Sequence, residues 1–550
     1  ARADPEAALV HASLAAAWSA LGHDDKAKLE AQRAFELSAR LGRQDRLLVE
    51  ARYHQANNHW DQAIATYRSL SEQFPDSIDH ALALASAQTT SGKGQDALAT
   101  LQALRARIPA ADPRVTLEEA RAALLTDARR ALPLAQQSAR EADALQARSI
   151  TAQARLVEAD AQRRLADLPA SRAACEQARV LCEQAGDRGG VARALGFLAQ
   201  TLWYGGDFAG AQQAAAQALS ISRQIGDRGG EARALNTVAG LLTDQGRLAE
   251  SRRTYEEALA IVSDLGDRDR EAVATHNIGI ALWKQGDLAR AERAFEAALS
   301  IAREIHSPRR QGYSTFYLGE VALDRGELDR AAGFYEQART LGEGLTSFLG
   351  DIERSLGRLA LARGDLGAAR SHFEKGIAMK SEKGERGFAA QARLGLCRVL
   401  LAEGRPEEAE PGARQALAAF QADRAVHLEA LAEAILARVL SGSGRTAEAA
   451  TAARQALSGI TGSEFDSIRL EVVILASPLA LPAAQARERL EAARFGAERA
   501  SLRGLELRAR LALGLLDPGP ALQRLEQDAH AHGFELLARQ AREAFERRPR

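Results

Sequence analysis

Residues 186–211 read GDRGGVARALGFLAQTLWYGGDFAGA, residues 226–250 read GDRGGEARALNTVAGLLTDQGRLAE, and residues 266–291 read GDRDREAVATHNIGIALWKQGDLARA. Gly186, Gly226 and Gly266 are 40 residues apart, and so are Gly206, Gly246, Gly286 and Gly326. A fixed period of this length marks an array of helical hairpins. Each hairpin buries its apolar face only by stacking on its neighbours, so the core grows lengthwise.

Outward from this block the turns continue. Toward the C-terminus they return as GDLGAA at 364–369, GRPEEA at 404–409 and GRTAEA at 444–449. Toward the N-terminus they recur less regularly, as GHDDKA at 22–27, NHWDQA at 58–63 and GKGQDA at 92–97. Pro5 suits the first turn of a helix that Gly22 ends, since its missing N–H costs nothing there. Turns at Asp127 and Asp167 are weaker. Beyond Gly462 the pattern loosens, with Pro478, Pro482 and the DPGP turn at 517–520. Three segments follow: 1–185 of irregular hairpins, 186–460 of regular 40-residue units, and 461–550 of degenerate hairpins with a charged cap. Turn-by-turn reading predicts roughly twelve to fourteen hairpins. The turns near Asp127 and Asp167, and the tail beyond Gly462, are where the fastest hydrogen exchange is expected.

Ala, Leu, Arg, Glu and Gln dominate and β-formers are few, so the fold class is all-α. With 72 Lys and Arg against 73 Asp and Glu the net charge is −1, which argues against direct binding to nucleic acid. No run of eighteen apolar residues is present, so no membrane span is expected. The compartment stays open between the cytoplasm and the periplasmic part of an anchored protein. The chain starts directly in a helical pattern at Ala1-Arg2-Ala3-Asp4-Pro5, which is read as a piece of a longer protein. Cys175 and Cys182, seven apart on one helix, stand about 10 Å apart, too far for a disulfide. With Cys397 they are expected to be small buried residues.

No phosphate-cradling G-x-x-x-x-G-K-[ST], no H-E-x-x-H, no G-x-S-x-G and no kinase signature occurs. The glycines at 186–190 join two helices and suit a C-cap with its turn better than a phosphate site. The histidines are scattered, and His530 with His532 lack further zinc ligands. No catalytic, cofactor or metal site is expected, and the chain is read as non-enzymatic. Asp187-Arg188, Asp227-Arg228 and Asp267-Arg268 could form a ladder of ion pairs between linkers, each worth about 0–1 kcal/mol.

Seven positions before each turn glycine stands Ala199, Ala239, Gly279, Gly319, Gly357 or Cys397. Five positions after it stands Ala211, Ala291, Ala331, Ala369 or Ala409. A larger side chain at such contacts would overpack, at about 1–3 kcal/mol. Leu198, Val238, Ile278, Leu318, Leu356 and Leu396 supply the adjoining core knobs. Glu250 and Ser251 make one turn the least typical. With these residues the units resemble tetratricopeptide repeats, in a long form of 40 residues where 34 is commoner. The N-terminal stretches WSALGHDDKA and LLVEARYHQANNHWDQAI look like the C-terminal repeat regions of bacterial serine/threonine kinases and winged-helix regulators. Neither of those domains is in this chain; either could be attached outside it.

The resemblance implies a right-handed α-solenoid whose hairpins each place their first helix on a concave groove. Ten residues before the turn glycine stand Asn236, His276, Phe316 and Arg354. Six before it stand Gln200, Glu320, Arg358, Arg398 and Arg438. Three before it stand Trp203, Thr243 and Trp283, and Arg193, Arg233, Tyr313 and Asp351 form a fourth column. Trp and Arg are frequent binding hot spots, and arginines grip carboxylates bidentately. The expected role is therefore a protein-interaction scaffold. It holds a peptide or protein segment with acidic groups toward the arginine end, as the sensor or docking part of a bacterial signalling protein. The alternative is a ligand-gated regulator that takes a small molecule or short peptide. A closed pocket around Trp203, His276, Trp283 and Phe316 would favour the small ligand, and an open trough the protein segment. In that trough, replacing Arg354, Arg358 and Arg398 by Glu is expected to abolish binding without unfolding the array.

Overall fold

A computed structural model describes residues 7–20, 24–108, 111–342, 346–382 and 384–547. Pro5, Gly22 and His23 lie outside them. Among the described residues every regular element is a helix: 29 α-helices and one short 3-10 turn at Ser38–Arg40. They follow one another in sequence as fourteen hairpins, and a last helix, Glu535–Glu546, packs on Ala521–Ala531. The fold is all-α and of solenoid type.

The reason for the period is a two-residue turn that recurs between successive helices, a left-handed glycine followed in many turns by aspartate. Gly186, Gly206, Gly226, Gly246, Gly266 and Gly286 all adopt positive φ, between 67° and 79°. This left-handed residue ends one helix, and glycine takes it without the Cβ penalty. The next residue then starts the following helix. Asp187 accepts the N–H of Gly190 (2.7 Å), Asp207 that of Gly210 (2.9 Å) and Asp287 that of Arg290 (3.1 Å). These are N-caps, each satisfying one of the donors a helix start leaves open. Helices of about 17 residues, such as Arg188–Tyr204 and Arg228–Asp244, alternate with identical turns. The true spacing of the device is thus half the hairpin repeat. Where glycine is missing, Asn58, Gln146, Ala166, His306 and Arg424 take the same strained conformation. Asp187, Asp227 and Asp267, read from the sequence as rungs of an ion-pair ladder, are N-caps as well.

The small residues do the packing work foreseen for them. Ala211, Ala291, Ala331, Ala369 and Ala409 have no exposed surface. A methyl on Gly279 would stand 2.6 Å from the Phe295 ring, and one on Gly319 2.6 Å from Tyr335. At the atypical turn Ser251 is fully buried and shares a 2.6 Å hydrogen bond with Thr243. Cys175, Cys182 and Cys397 are buried and free, and burial pushes the Cys175 thiol up to about 12.

The helices separate into two compact units, 1–241 with 257–270 and 242–256 with 271–550. This division follows spatial packing, whereas segments 1–185, 186–460 and 461–550 follow repeat regularity. Each unit coils until its end meets its beginning. In unit 1, Lys28 Nζ and Asn58 Nδ2 both donate to the Leu265 carbonyl, at 2.8 and 3.2 Å. In unit 2 the backbone N–H of Ala249 donates to Glu464 Oε2 at 2.8 Å. A methyl on Gly286 would lie 3.4 Å from Ala500 Cβ, and one on Gly326 3.0 Å from Arg503 Cγ. One apolar core there joins Phe316, Tyr335, Phe348 and Ile352 to Leu507, Leu522, Leu525 and Phe534.

Candidate functional site

Closure of unit 2 makes a ring of six first helices: Pro308–Arg325, Thr346–Ala362, Arg386–Ala402, Val426–Gly442, Asp466–Ala480 and Arg503–Leu516. Each packs on the next, and the sixth packs back on the first. The inward column of each helix therefore faces the same interior.

That interior is a charge network. Arg358 donates to Glu320 Oε2 at 2.7 Å and to Asp324 Oδ1 at 2.9 Å. Tyr335 donates its hydroxyl hydrogen to Glu320 Oε1 at 2.6 Å, and Arg354 lies 3.9 Å from the same carboxylate. The indole N–H of Trp283 donates to Asp324 Oδ2 at 2.8 Å. Across the ring, Arg398 approaches Glu471 Oε1 at 3.1 Å, and Arg508 donates to that same oxygen. Arg438, next in the column, is exposed and has no ion-pair or hydrogen-bond partner among the described residues.

The electrostatics follow from crowding. Burial alone would push the Glu320 and Glu471 carboxyls up, but the guanidiniums beside them hold both below the usual carboxylate range. Burial wins at Asp324, whose carboxyl is raised despite Arg358. Burial, with Arg398 and Arg358 nearby, lowers Arg508 against the pull of Glu471. Crowding by surrounding atoms also lowers Arg438, although its side chain keeps open surface. Four guanidiniums, at 354, 358, 398 and 508, engage three carboxylates, at 320, 324 and 471.

The aromatic residues of the predicted groove wall are engaged in packing. Phe316 is 4% exposed, in the core with Tyr335 and Phe348. His276 lies between the Phe295 and Tyr317 rings, at 5.3 and 5.1 Å, and its ring bonds the Ser314 hydroxyl. Burial lowers its pKa to about 3, so it is neutral. Trp283 meets Tyr317 edge-on, and Tyr313 stands 4.5 Å from Phe348. Glu320, expected at the groove surface, is fully buried. In unit 1, Arg193 and Arg233 lie 3.4 and 3.6 Å from Asp187 and Asp227. Trp203 packs against Gly240, while Gln200 and Asn236 are half-buried. The structure thus brings together Glu320, Arg354 and Arg358, sets Arg398 on Glu471, carries Arg438 on the next first helix without a contact to them, and packs Phe316 and His276 among neighbouring rings.

Sequence reading missed Asp324, Glu471 and Arg508. A half-buried tryptophan needs an acceptor for its N–H, which was the available signal for Asp324. Glu471 and Arg508 lie beyond Gly462, where the glycine register stops and column counting has no anchor. Among the described residues no group of His, Cys, Asp or Glu is placed to hold a metal ion, and no helix is long and apolar enough to cross a membrane.

A family model described as the MalT-like TPR region matches residues 256–527, and two tetratricopeptide-repeat models match 48–113 and 232–262. The chain is a tetratricopeptide-repeat protein. No curated protein sequence matches it. Solved structures similar to this repeat protein include a Rap protein complexed with Competence and Sporulation Factor. That match has 17% identity and a TM-score of 0.42, covering 67% of this chain and 98% of the other. The Rap conjugation gene regulator of plasmid pLS20, in complex with the Phr* peptide, matches at 14% identity and a TM-score of 0.44, covering 62% and 95%. The Cut9–Hcn1 hetero-tetramer of APC/C matches at 15% identity and 0.37, covering 88% and 99%.

Proposed function

We propose that this tetratricopeptide-repeat array is a non-enzymatic interaction scaffold, the sensor or docking part of a bacterial signalling protein. Its unit 2 receives an acidic segment of a protein partner along the axis of the ring. The observation that carries this is the column Arg358, Arg398 and Arg438 on successive first helices, with Arg438 open and unpaired. An unpaired guanidinium in a crowded interior gains most from a carboxylate, because the contact is charge-assisted and poorly screened. Arg193, Gln200, Arg233 and Asn236 belong to unit 1 and are not part of this site.

The test is fluorescence anisotropy of a labelled glutamate-rich peptide against the whole chain. Arg438→Glu is expected to weaken binding at least tenfold while leaving the melting temperature in place. Equal affinity in the folded variant would remove the arginine column as the docking site. The triple reversal at Arg354, Arg358 and Arg398 is unsuitable, because Arg358 neutralises the buried Glu320.

A second reading is a ligand-gated regulator. It is favoured by the closure of the six first helices into a ring, which joins charged side chains of distant hairpins, Arg398 and Arg508 on Glu471.

A further inference from the structure

Both units close through one kind of contact, in which the turn after a first helix meets the start of another first helix. In unit 1 Asn58, in the turn after Arg43–Ala56, donates to the Leu265 carbonyl just before Arg268–Lys284. In unit 2 a methyl on Gly246 would lie 3.6 Å from Phe465, and one on Gly326 3.1 Å from Phe534. There the turn glycine is the hole, and the ring at the helix start is the knob.

Unit 1 carries a further row of each kind with its apolar residues uncovered. Three consecutive first helices, Pro113–Leu124, Arg148–Arg164 and Arg188–Tyr204, end in Leu125, Leu165 and Tyr204, which are 42%, 37% and 65% exposed. Arg164 donates to the Leu124 carbonyl at 2.7 Å, and the Arg163 guanidinium lies over the Tyr204 ring at 5.2 Å, so the three ends are held in line. At the other end of these helices, the starts of Ile78–Thr90, Pro113–Leu124 and Arg148–Arg164 surround an open cavity of about 440 Å³. Ile78, Ile108, Pro113, Leu145 and Ile150 give it apolar walls. Single exposed apolar residues are ordinary, but a row of them on an edge that the chain elsewhere covers marks a contact surface.

The two rows match in spacing and in charge. Each spans three consecutive hairpins, so knobs and walls recur at the same interval. The exposed carboxylates of Asp127, Asp167 and Asp207 accompany the knobs. Exposed Arg107 and Arg148 flank the cavity, where Asp79 and Asp112 already pair with Arg114.

We infer that this chain associates with a second copy of itself head to tail: Leu125, Leu165 and Tyr204 of one copy seat in the cavity walled by Ile78, Pro113 and Ile150 of the next. Knob and hole exchange sides relative to unit 2, but the same two edges meet. Aspartates of one row face arginines of the other and fix the register. The contact is heterologous, so each copy in a pair still offers one row, and growth stops only where a ring closes.

Sedimentation velocity of the whole chain over a concentration series tests this. The mean mass of the natural chain is expected to rise with concentration to at least twice that of one copy. Leu165→Glu with Tyr204→Glu blocks the knobs, and Ala111→Glu with Leu145→Glu blocks the cavity that both residues line. Each double variant alone should keep the mass of one copy. An equimolar mixture of the two retains one intact row on each chain and should form a one-to-one pair that grows no further. Ala111, Leu145 and Tyr204 are exposed, and unchanged melting temperatures show that the variants fold; Tyr204→Ser alone replaces the knob variant if Leu165→Glu is unstable. A natural chain that keeps the mass of one copy at every concentration overturns the contact. So does a folded blocked variant that associates like the natural chain, or a mixture that fails to pair.

Discussion

The Tyr335 hydroxyl and the Arg358 guanidinium grip opposite oxygens of one carboxylate, Glu320, at 2.6 and 2.7 Å. Tyr335 belongs to the second helix of its hairpin, and Arg358 to the first helix of the next. One buried charge therefore fixes how consecutive hairpins stack. Removing Arg358 as Arg358→Leu leaves the buried Glu320 with only the more distant Arg354 against it, at a cost of about 3 kcal/mol, the lower end for such pairs because Arg358 is partly open. Tyr335→Phe removes one neutral donor and should cost about 1 kcal/mol. Urea unfolding of the two variants checks the order. Arg358→Leu combined with Glu320→Leu should recover only part of the loss, since Asp324 still loses the guanidinium of Arg358.

Gly319 and Gly333 make a matched pair, both inside helices of unit 2. A methyl at Gly319 would press on the Tyr335 ring, whereas one at Gly333 meets nothing within 4 Å. Gly319→Ala should therefore destabilise, by about 1–3 kcal/mol of overpacking. Gly333→Ala should stabilise, by roughly 0.5–1 kcal/mol of helix propensity. Thermal unfolding separates them by sign; two changes of the same sign would show that the hairpin contact is looser than its geometry.

The seam of unit 2 carries a titratable stack. His427 lies on Phe465 at 4.1 Å between centroids, and Lys284 sits over the same ring at 4.9 Å. Burial, then Lys284, lowers the His427 pKa to about 4, with the Asp244 backbone opposing the shift. A folded pKa below the unfolded value of about 6.5 means stability present above that pH and lost as pH falls toward 4. Glu433, pushed up to about 7 by burial and Glu429, acts in the opposite direction. The readout is thus the melting temperature of the natural chain minus that of His427→Gln. This difference should fall steadily from pH 7 to pH 4; a flat difference would mean that His427 titrates as if unfolded. Glu320 and Glu471, held low, add a loss that begins only below about pH 4.5.

The fold was legible because its code is local. Gly-Asp ends one helix and caps the next, and the small residues at positions such as Gly279 and Ala291 admit the facing ring. All of that is set within one hairpin. The site was half legible for the same reason. Register counting finds Arg358, Arg398 and Arg438, which occupy one position of successive units. It cannot find Glu471 or Arg508, because these meet the column only through ring closure between hairpins distant in sequence. Nor can it tell that Phe316 faces the core and Glu320 is buried, since both depend on the neighbouring helix.

Hydrogen exchange tests the closure itself. The irregular sequence beyond Gly462 reads as a loosely held tail, and the turns near Asp127 and Asp167 as weak points. The structure caps both turns, Asp127 accepting from Arg129 and Arg130 and Asp167 from Ala170. Beyond Gly462 it places Leu507, Leu522, Leu525 and Phe534 in one core with Phe316, Tyr335 and Ile352. Amide protection reflects the free energy of opening, and a shared core opens as a unit. Helices Arg503–Leu516 and Ala521–Ala531 should therefore exchange no faster than Pro308–Arg325 and Leu328–Leu341. Mass spectrometry of peptides from the four helices measures this directly. Rapid exchange over 503–531 with slow exchange over 308–341 would mean that the seam stands open in solution, and the interior with it.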